Sequence, residues 1–321
     1  MRRGHPGRSR AGRVSALLSL ITLAIVLTAC GREVGGAPTD ITDRRVHVVA
    51  TTGMVGDVAR NVGGERVAVT ALMGPGVDPH LYKASARDVE AIDNADILFY
   101  SGLHLEGRMT SIFERLSVTR PTVPIAENIP VEWLRRPPEF KGAYDPHVWF
   151  DVGLWSHSVD VVRDALIALD PDHAATYQNN AGVYRAELVA LDAWVAEQFA
   201  TIPAGARLLI TAHDAFGYMG AAYGLEVRGL QGASTATEAG AADVRGLADL
   251  IVERGIKAIF VESSVPQATI EAVQAAVRAR GHEVAIGGQL FSDAMGDEGT
   301  PEGTYIGMVR HNVATIVAAL R

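Results

Sequence analysis

Two loops of this 321-residue chain carry the same tripeptide, Asp78-Pro79-His80 within GPGVDPH and Asp145-Pro146-His147 within YDPHVW. With 14 Pro and 10 His in the chain, chance supplies a given tripeptide of this kind on the order of 0.03 times, so the repetition points to a shared task. Proline fixes the backbone ahead of each histidine and stiffens the approach of its imidazole. The aspartate two residues earlier can close a turn or hold the ring from behind. Rigid imidazoles in loops are what a metal site requires. A third histidine, His213, ends the apolar run LLITA, and side chains at the carboxyl end of a strand face the ligand crevice of an α/β fold. Asp293 follows a further apolar stretch, in GGQLFSDAMG; taken alone it is an ordinary helix cap or loop acid. Glu262, after the run AIFV, has the chemistry of a ligand but no partner pattern. His47, His157, His173, His282 and His311 also lack one and read as surface or core histidines. His104, in SGLHLEG, reads as a residue behind the ligands or in packing. Trp133, Trp149, Trp155 and Trp194 read as core or rim packing.

The elements that must position these residues alternate short apolar runs with amphipathic stretches. VHVVATTG, VAVTALM, ADILFYSG and TVPIA come first; RLLITAH, EVRGLQG, KAIFVES and HEVAIGG follow in the second half. That alternation predicts an α/β fold of two similar lobes, each a mainly parallel sheet flanked by helices. Ser85 to Asp88 predicts a capping box opening a helix, and Gln267 to Arg280 is a helical run. Between the halves, Asp170 and Pro171 form a capped start. Tyr177, Ala181, Tyr184, Leu188, Leu191, Trp194, Val195 and Phe199 then recur at helical spacing. One helix of ~30 residues would span about 45 Å, so the lobes are joined by a rod that allows only slight rocking. The expected organisation is 1–29 leader, 30–44 tether, 45–169 first lobe, 170–200 linking helix and 201–321 second lobe.

Five arginines precede Val14, and the stretch from Val14 to Ala29 is uncharged. A basic segment followed by an apolar one is a signal-peptide pattern. Sixteen residues of helix reach about 24 Å, short of a ~30 Å hydrocarbon core. The end of the run, Leu27-Thr28-Ala29-Cys30, resembles a lipobox, which places the lipid on Cys30, the single cysteine of the chain. Residues 31–44 are Gly-rich and polar and read as a flexible tether. One cysteine excludes a disulfide scaffold, a cysteine-held iron–sulfur cluster and CxxC zinc modules, so a metal here must use His and carboxylates. Removal of the basic segment leaves 24 Lys and Arg against 37 Asp and Glu, a net charge of −13. Such a chain makes a poor nucleic-acid binder. No G-x-x-x-x-G-K-[ST] phosphate loop is present, so any step driven by ATP would rely on a partner.

Beyond these motifs, TAHDAFGYMGAAYGLEVRGLQGASTATEAG (211–240), FVESSVP (260–266) and GGQLFSDAMGDEGTPEGTYIGMVRHNV (287–313) resemble the metal-receptor lipoproteins of manganese and zinc ABC importers. The likeness runs from about Val46 to Leu320. It implies two lobes joined by a rigid helix with one divalent metal between them, held by His80, His147, His213 and Asp293. It implies a monomeric receptor, not an enzyme, anchored through Cys30 on the outer face of the bacterial cell membrane. Its partners would be an ABC permease and a separate ATPase subunit. The position of His213 is Glu in some manganese-type relatives, and the long His-rich acidic loop of dedicated zinc receptors is absent, which favours the mixed manganese/zinc branch. The cargo is thus Mn(II) or Zn(II), with Fe(II) a further candidate; three imidazoles and a carboxylate suit zinc tetrahedrally, and a bidentate Asp293 suits manganese. The competing readings are a zinc-dependent hydrolase built on the same histidines and a surface adhesin. Against the first, H-E-x-x-H is missing and four protein ligands leave no open position for water.

Overall fold

The computed structural model describes residues 41–140 and 142–321, together with Met1 and Gly4. The expected leader, Cys30 and residues 31–40 of the tether lie outside the described residues. Residues 41–44, expected as the end of the tether, belong instead to the folded body. Ile41 joins the core, its carbonyl and that of Arg44 accept from the Arg66 guanidinium at 2.6 Å each, and Arg44 forks onto Asp96 at 2.7 and 2.8 Å.

The first half runs β1 (Val46–Ala50), α1 (Gly53–Gly63), β2 (Val67–Ala71), α2 (Ala86–Asp93), β3 (Ile97–Tyr100), α3 (Thr110–Leu116) and β4 (Thr122–Pro124). Its strands form one parallel sheet in the order β2-β1-β3-β4. The capping box at α2 forms: Asp88 N–H donates to Ser85 Oγ and Ser85 N–H to Asp88 Oδ2. The second half runs β5 (Leu208–His213), α7 (Gly217–Tyr223), β6 (Glu226–Gln231), α8 (Ala241–Arg254), β7 (Ala258–Glu262), α9 (Ala268–Arg278), β8 (Ala285–Leu290) and α10 (Tyr305–Leu320). Here β5 pairs with β6 and β7 with β8, both in parallel, as two two-stranded sheets instead of the single sheet expected for this half; β5 lies beside β7, so the spatial order of the strands follows that of the first half. Every residue of β5 and β7 is buried, as expected for parallel strands covered on both faces.

Between the halves lie α4 (Val152–Trp155), α5 (His157–Leu169) and α6 (Ala174–Ala200). At 27 residues, α6 is about 40 Å long. Its buried stripe is Tyr177, Ala181, Tyr184, Leu188, Leu191, Val195 and Phe199; Trp194, expected in that stripe, sits at its margin under the Arg310 guanidinium, 4.7 Å from the ring centroid. The helix packs on α1, α4 and α5 and on α7 and α10, and its side chains join a core continuous with both halves. Polar ties fix it. Tyr184 Oη donates to buried Asp57 at 2.7 Å, and Tyr223 Oη donates to Asp192 at 2.6 Å. Asp170 does not cap the helix by its side chain. Its carboxylate instead accepts from Arg66 at 2.8 Å and Tyr177 at 2.7 Å and pairs with His173 at 3.0 Å, because a buried carboxylate gains more from a guanidinium than from one backbone amide.

One irregularity serves the site. β8 carries an extra residue opposite β7 between the pairs Ile259/Ile286 and Val261/Gln289, a bulge that bends the strand. Gly288 supplies it with φ +142°, and a Cβ there would come within 2.5 Å of Thr315 Cγ2. The redirected chain then delivers Asp293.

Candidate metal centre

Four side chains converge from four chain segments. The Asp78 and Asp145 carboxylates each cap the backbone of their own loop: His80 N–H donates to Asp78 Oδ1 at 2.8 Å and His147 N–H to Asp145 Oδ1 at 3.0 Å. These are Asx turns, stiffened by the intervening prolines. Asp145 Oδ1 also lies 2.8 Å from His147 Nδ1, which turns Nε2 toward the centre. His213 ends β5, and its backbone N–H and Nδ1 meet Glu262 Oε1 and Oε2, at the end of neighbouring β7, at 2.8 and 2.5 Å. Asp293 follows β8 by three residues, beside Ser292, whose carbonyl accepts from Trp149 Nε1 at 3.1 Å.

The His80 and His147 Nε2 atoms are 3.3 Å apart. Asp293 Oδ2 lies 3.2 Å from His213 Nε2 and 3.7 Å from His80 Nε2, and Oδ1 lies 3.5 Å from His147 Nε2. The four donor atoms all fall within 4.8 Å of one another. His147, His213 and Asp293 are 0, 0 and 1% exposed, and His80 8%. At 3.2 Å, His213 Nε2 and Asp293 are close enough to attract but not aligned as a hydrogen bond; His213 Nε2 and both Asp293 oxygens have no hydrogen-bond partner. Buried polar atoms are almost always paired, and these orphans face one point. A cation there would satisfy them all.

Electrostatics follows from that crowding. Burial drives the His80 imidazole down to about 3, with the neighbouring rings adding to the fall and Asp293 opposing it. Burial also works against charge on His147, but the hydrogen bond to Asp145 and the nearby Asp293 carboxylate outweigh it and lift the ring to about 9. His213 is likewise raised well above the usual histidine range, Asp293 and Glu262 overcoming its burial. Asp293 is held well below the usual carboxylate range despite its burial, since His213 and His147 favour its charge. Three imidazoles and one carboxylate form a donor set suited to borderline first-row divalent ions.

Of the residues named from sequence, His80, His147, His213 and Asp293 come together, and Glu262 stands behind His213 instead of among them. His104 is exposed, in left-handed backbone at φ +65°, and is not behind the ligands. His173 and His282 bond to Asp170 and the Ile256 carbonyl, and His311 to the Gln289 carbonyl. Trp149 and Trp155 are wholly buried, while Trp133 is 52% exposed. Sequence reasoning missed the pairing of Glu262 with His213; the signal was there in that both end buried apolar strands.

Two halves with parallel sheets, one long helix between them and a buried His/Asp cluster define an α/β binding-protein architecture of the TroA-like type. The chain belongs to the ZnuA family of metal ABC transporter substrate-binding proteins, described as zinc-uptake complex component A, periplasmic, whose profile matches residues 48–319. Manganese-binding lipoprotein MntA of Bacillus subtilis is 46% identical over 309 residues, covering 96% of this chain and all of that one. Zinc-binding protein TroA of Treponema pallidum is 51% identical over 278 residues, covering 87% and 90%. The solved structure of periplasmic TroA superposes with a TM-score of 0.84 over 86% of this chain and 99% of that chain.

Proposed function

We propose that this protein captures one divalent transition-metal ion, Mn(II) or Zn(II), through His80, His147, His213 and Asp293, and hands it to an ABC permease driven by a separate ATPase. The observation that carries the reading is the set of unpartnered, buried donor atoms facing one point. Residues 45–169 and 201–321 act as the two gripping lobes, with 170–200 as the rod between them. Cys30 carries the lipid that holds the receptor, a monomer, at the outer face of the cell membrane; among the described residues no helix is long and apolar enough to cross a membrane. The metal is cargo, not a catalytic cofactor: four protein donors complete a tetrahedral shell, whereas catalytic zinc keeps a position for water. Affinity alone does not choose the cargo, since zinc outbinds manganese in a site of this kind whichever ion is transported.

The test is titration of the chelator-stripped protein with Zn(II), Mn(II) and Fe(II), following stoichiometry and melting temperature. One equivalent per chain is expected. At a hundredfold excess over Kd the ion stabilises the fold by about 2.7 kcal/mol, a rise of roughly 5–10 °C. His80→Ala, His147→Ala and His213→Ala should each abolish that rise; binding unchanged in all three would refute the assignment.

A further inference from the structure

We infer that Tyr218 is a positioning residue of the metal site: its hydroxyl clasps the His147 loop of the first half to the helix that follows His213 in the second, and so holds those two imidazoles at the spacing a tetrahedral ion needs. The inference rests on the proposed receptor function and adds no ligand to it. Tyr218 lies in α7, just beyond His213, and is 1% exposed. A buried phenol needs a hydrogen-bond partner, and this hydroxyl has two, both in the first half. It accepts from the Arg135 backbone N–H at 2.9 Å and donates to the Asp145 carbonyl at 3.1 Å. The Asp145 N–H donates in turn to the Arg135 carbonyl at 3.0 Å. These bonds close a ring of two backbone segments and one side chain, in which the phenol is the sole member from the second half.

What the clasp holds is the aspartate that aims His147. Asp145 Oδ1 meets both the backbone N–H and the ring Nδ1 of His147, so a shift of the Asp145 backbone carries the imidazole with it. On the other side a tight turn, Ala215 N–H to the His213 carbonyl at 3.0 Å, joins His213 to α7. Phe216 in that turn stacks on Phe150, beyond His147, with ring centroids 4.3 Å apart. His147 and His213 therefore move as one unit, their ring centroids 5.3 Å apart, although they come from opposite halves. Tetrahedral zinc takes imidazole nitrogen at about 2.0–2.1 Å and tolerates little error in that spacing. Manganese favours octahedral, oxygen-rich shells and depends on it less.

The experiment is titration of the full chain, wild type, Tyr218→Phe and Tyr223→Phe, with Zn(II), Mn(II) and the spectroscopic probe Co(II). Tyr218→Phe keeps the ring and removes the clasp. Zn(II) affinity should fall about tenfold, the lower end of what loss of support behind a metal ligand costs; Mn(II) affinity should fall less, and the visible band of tetrahedral Co(II) should weaken. Tyr223→Phe removes a half-buried phenol from the same helix, one bonded to the Val152 N–H and Asp192 and not to the ligand loop. It should lower the melting temperature and leave the Co(II) band and the ratio of Zn(II) to Mn(II) affinity unchanged. In stripped wild-type protein the Arg135 amide should already exchange slowly with solvent, because the clasp forms without metal. Wild-type protein that takes up no metal would overturn the receptor reading. With normal uptake by the wild type, an unaltered Co(II) band in folded Tyr218→Phe, equal losses for Zn(II) and Mn(II), or a freely exchanging Arg135 amide would each overturn this inference alone.

Discussion

Glu262 touches no cargo position, yet its replacement should weaken binding more than that of any other residue outside the four. Its two oxygens accept from the backbone N–H of His213 at 2.8 Å and lie 2.5 Å from the ring Nδ1. Glu262→Ala removes both contacts in a region where His213 is fully buried. The imidazole then loses the partner that fixes its tautomer with Nε2 free for metal. Loss of a carboxylate behind a metal-binding histidine costs about 10–100-fold in affinity, or about 1.4–2.7 kcal/mol. Each buried donor left unpaired costs a further ~1–3 kcal/mol of fold stability, so the metal-free protein should also melt several degrees lower. Glu262→Gln keeps one acceptor and should fall between. The assay is Zn(II) competition against a chelator of known affinity, run beside a melting curve of the stripped protein. A folded Glu262→Ala protein with wild-type affinity would refute the claim that this carboxylate orients His213.

Binding should also release protons. In the metal-free site His147 is raised to about 9 and His213 is raised well above its usual range, whereas a metal needs both Nε2 atoms unprotonated. Zn(II) affinity should therefore rise by roughly tenfold or more per pH unit between about pH 6 and 8, and calorimetry in buffers of different ionisation enthalpy should detect the released protons. For metal-free stability the signs oppose. The raised His147 contributes below the ordinary histidine range and loses that contribution as pH climbs through about 9; the depressed Asp293 contributes above the ordinary carboxylate range and loses it as acid protonates the group. Trp149→Phe keeps the ring packing but leaves the buried Ser292 carbonyl without its donor; a loss of about 1–3 kcal/mol in a urea melt is expected, with weaker Zn(II) binding because Asp293 adjoins that carbonyl.

The local grammar of the chain determined a good deal by itself. Buried parallel strands read as apolar runs, the α2 cap as Ser85 and Asp88, and the stiff ligand loops as a repeated Asp-Pro-His, because each depends on neighbours a few residues apart. Even the stripe of α6 followed from periodicity, apart from Trp194, whose place at the margin is decided by Arg310 from a distant helix. Asp170 shows where local reasoning ends: a good cap by type and position, it is drawn away by Arg66, 104 residues earlier. The same holds at the site. Glu262 reaches His213 across 49 residues, and Thr235 reaches Asp78 across 157. That Glu262 and His213 both end apolar strands is the only local sign of the first pairing and the second leaves none, since such contacts arise only when parallel strands bring their carboxyl ends together and the two halves close on one another. Residue type and spacing specified which groups are fit to bind a metal; the tertiary structure decided which carboxylates stand behind them, because desolvation and hydrogen bonding act between neighbours in space, whatever their separation along the chain.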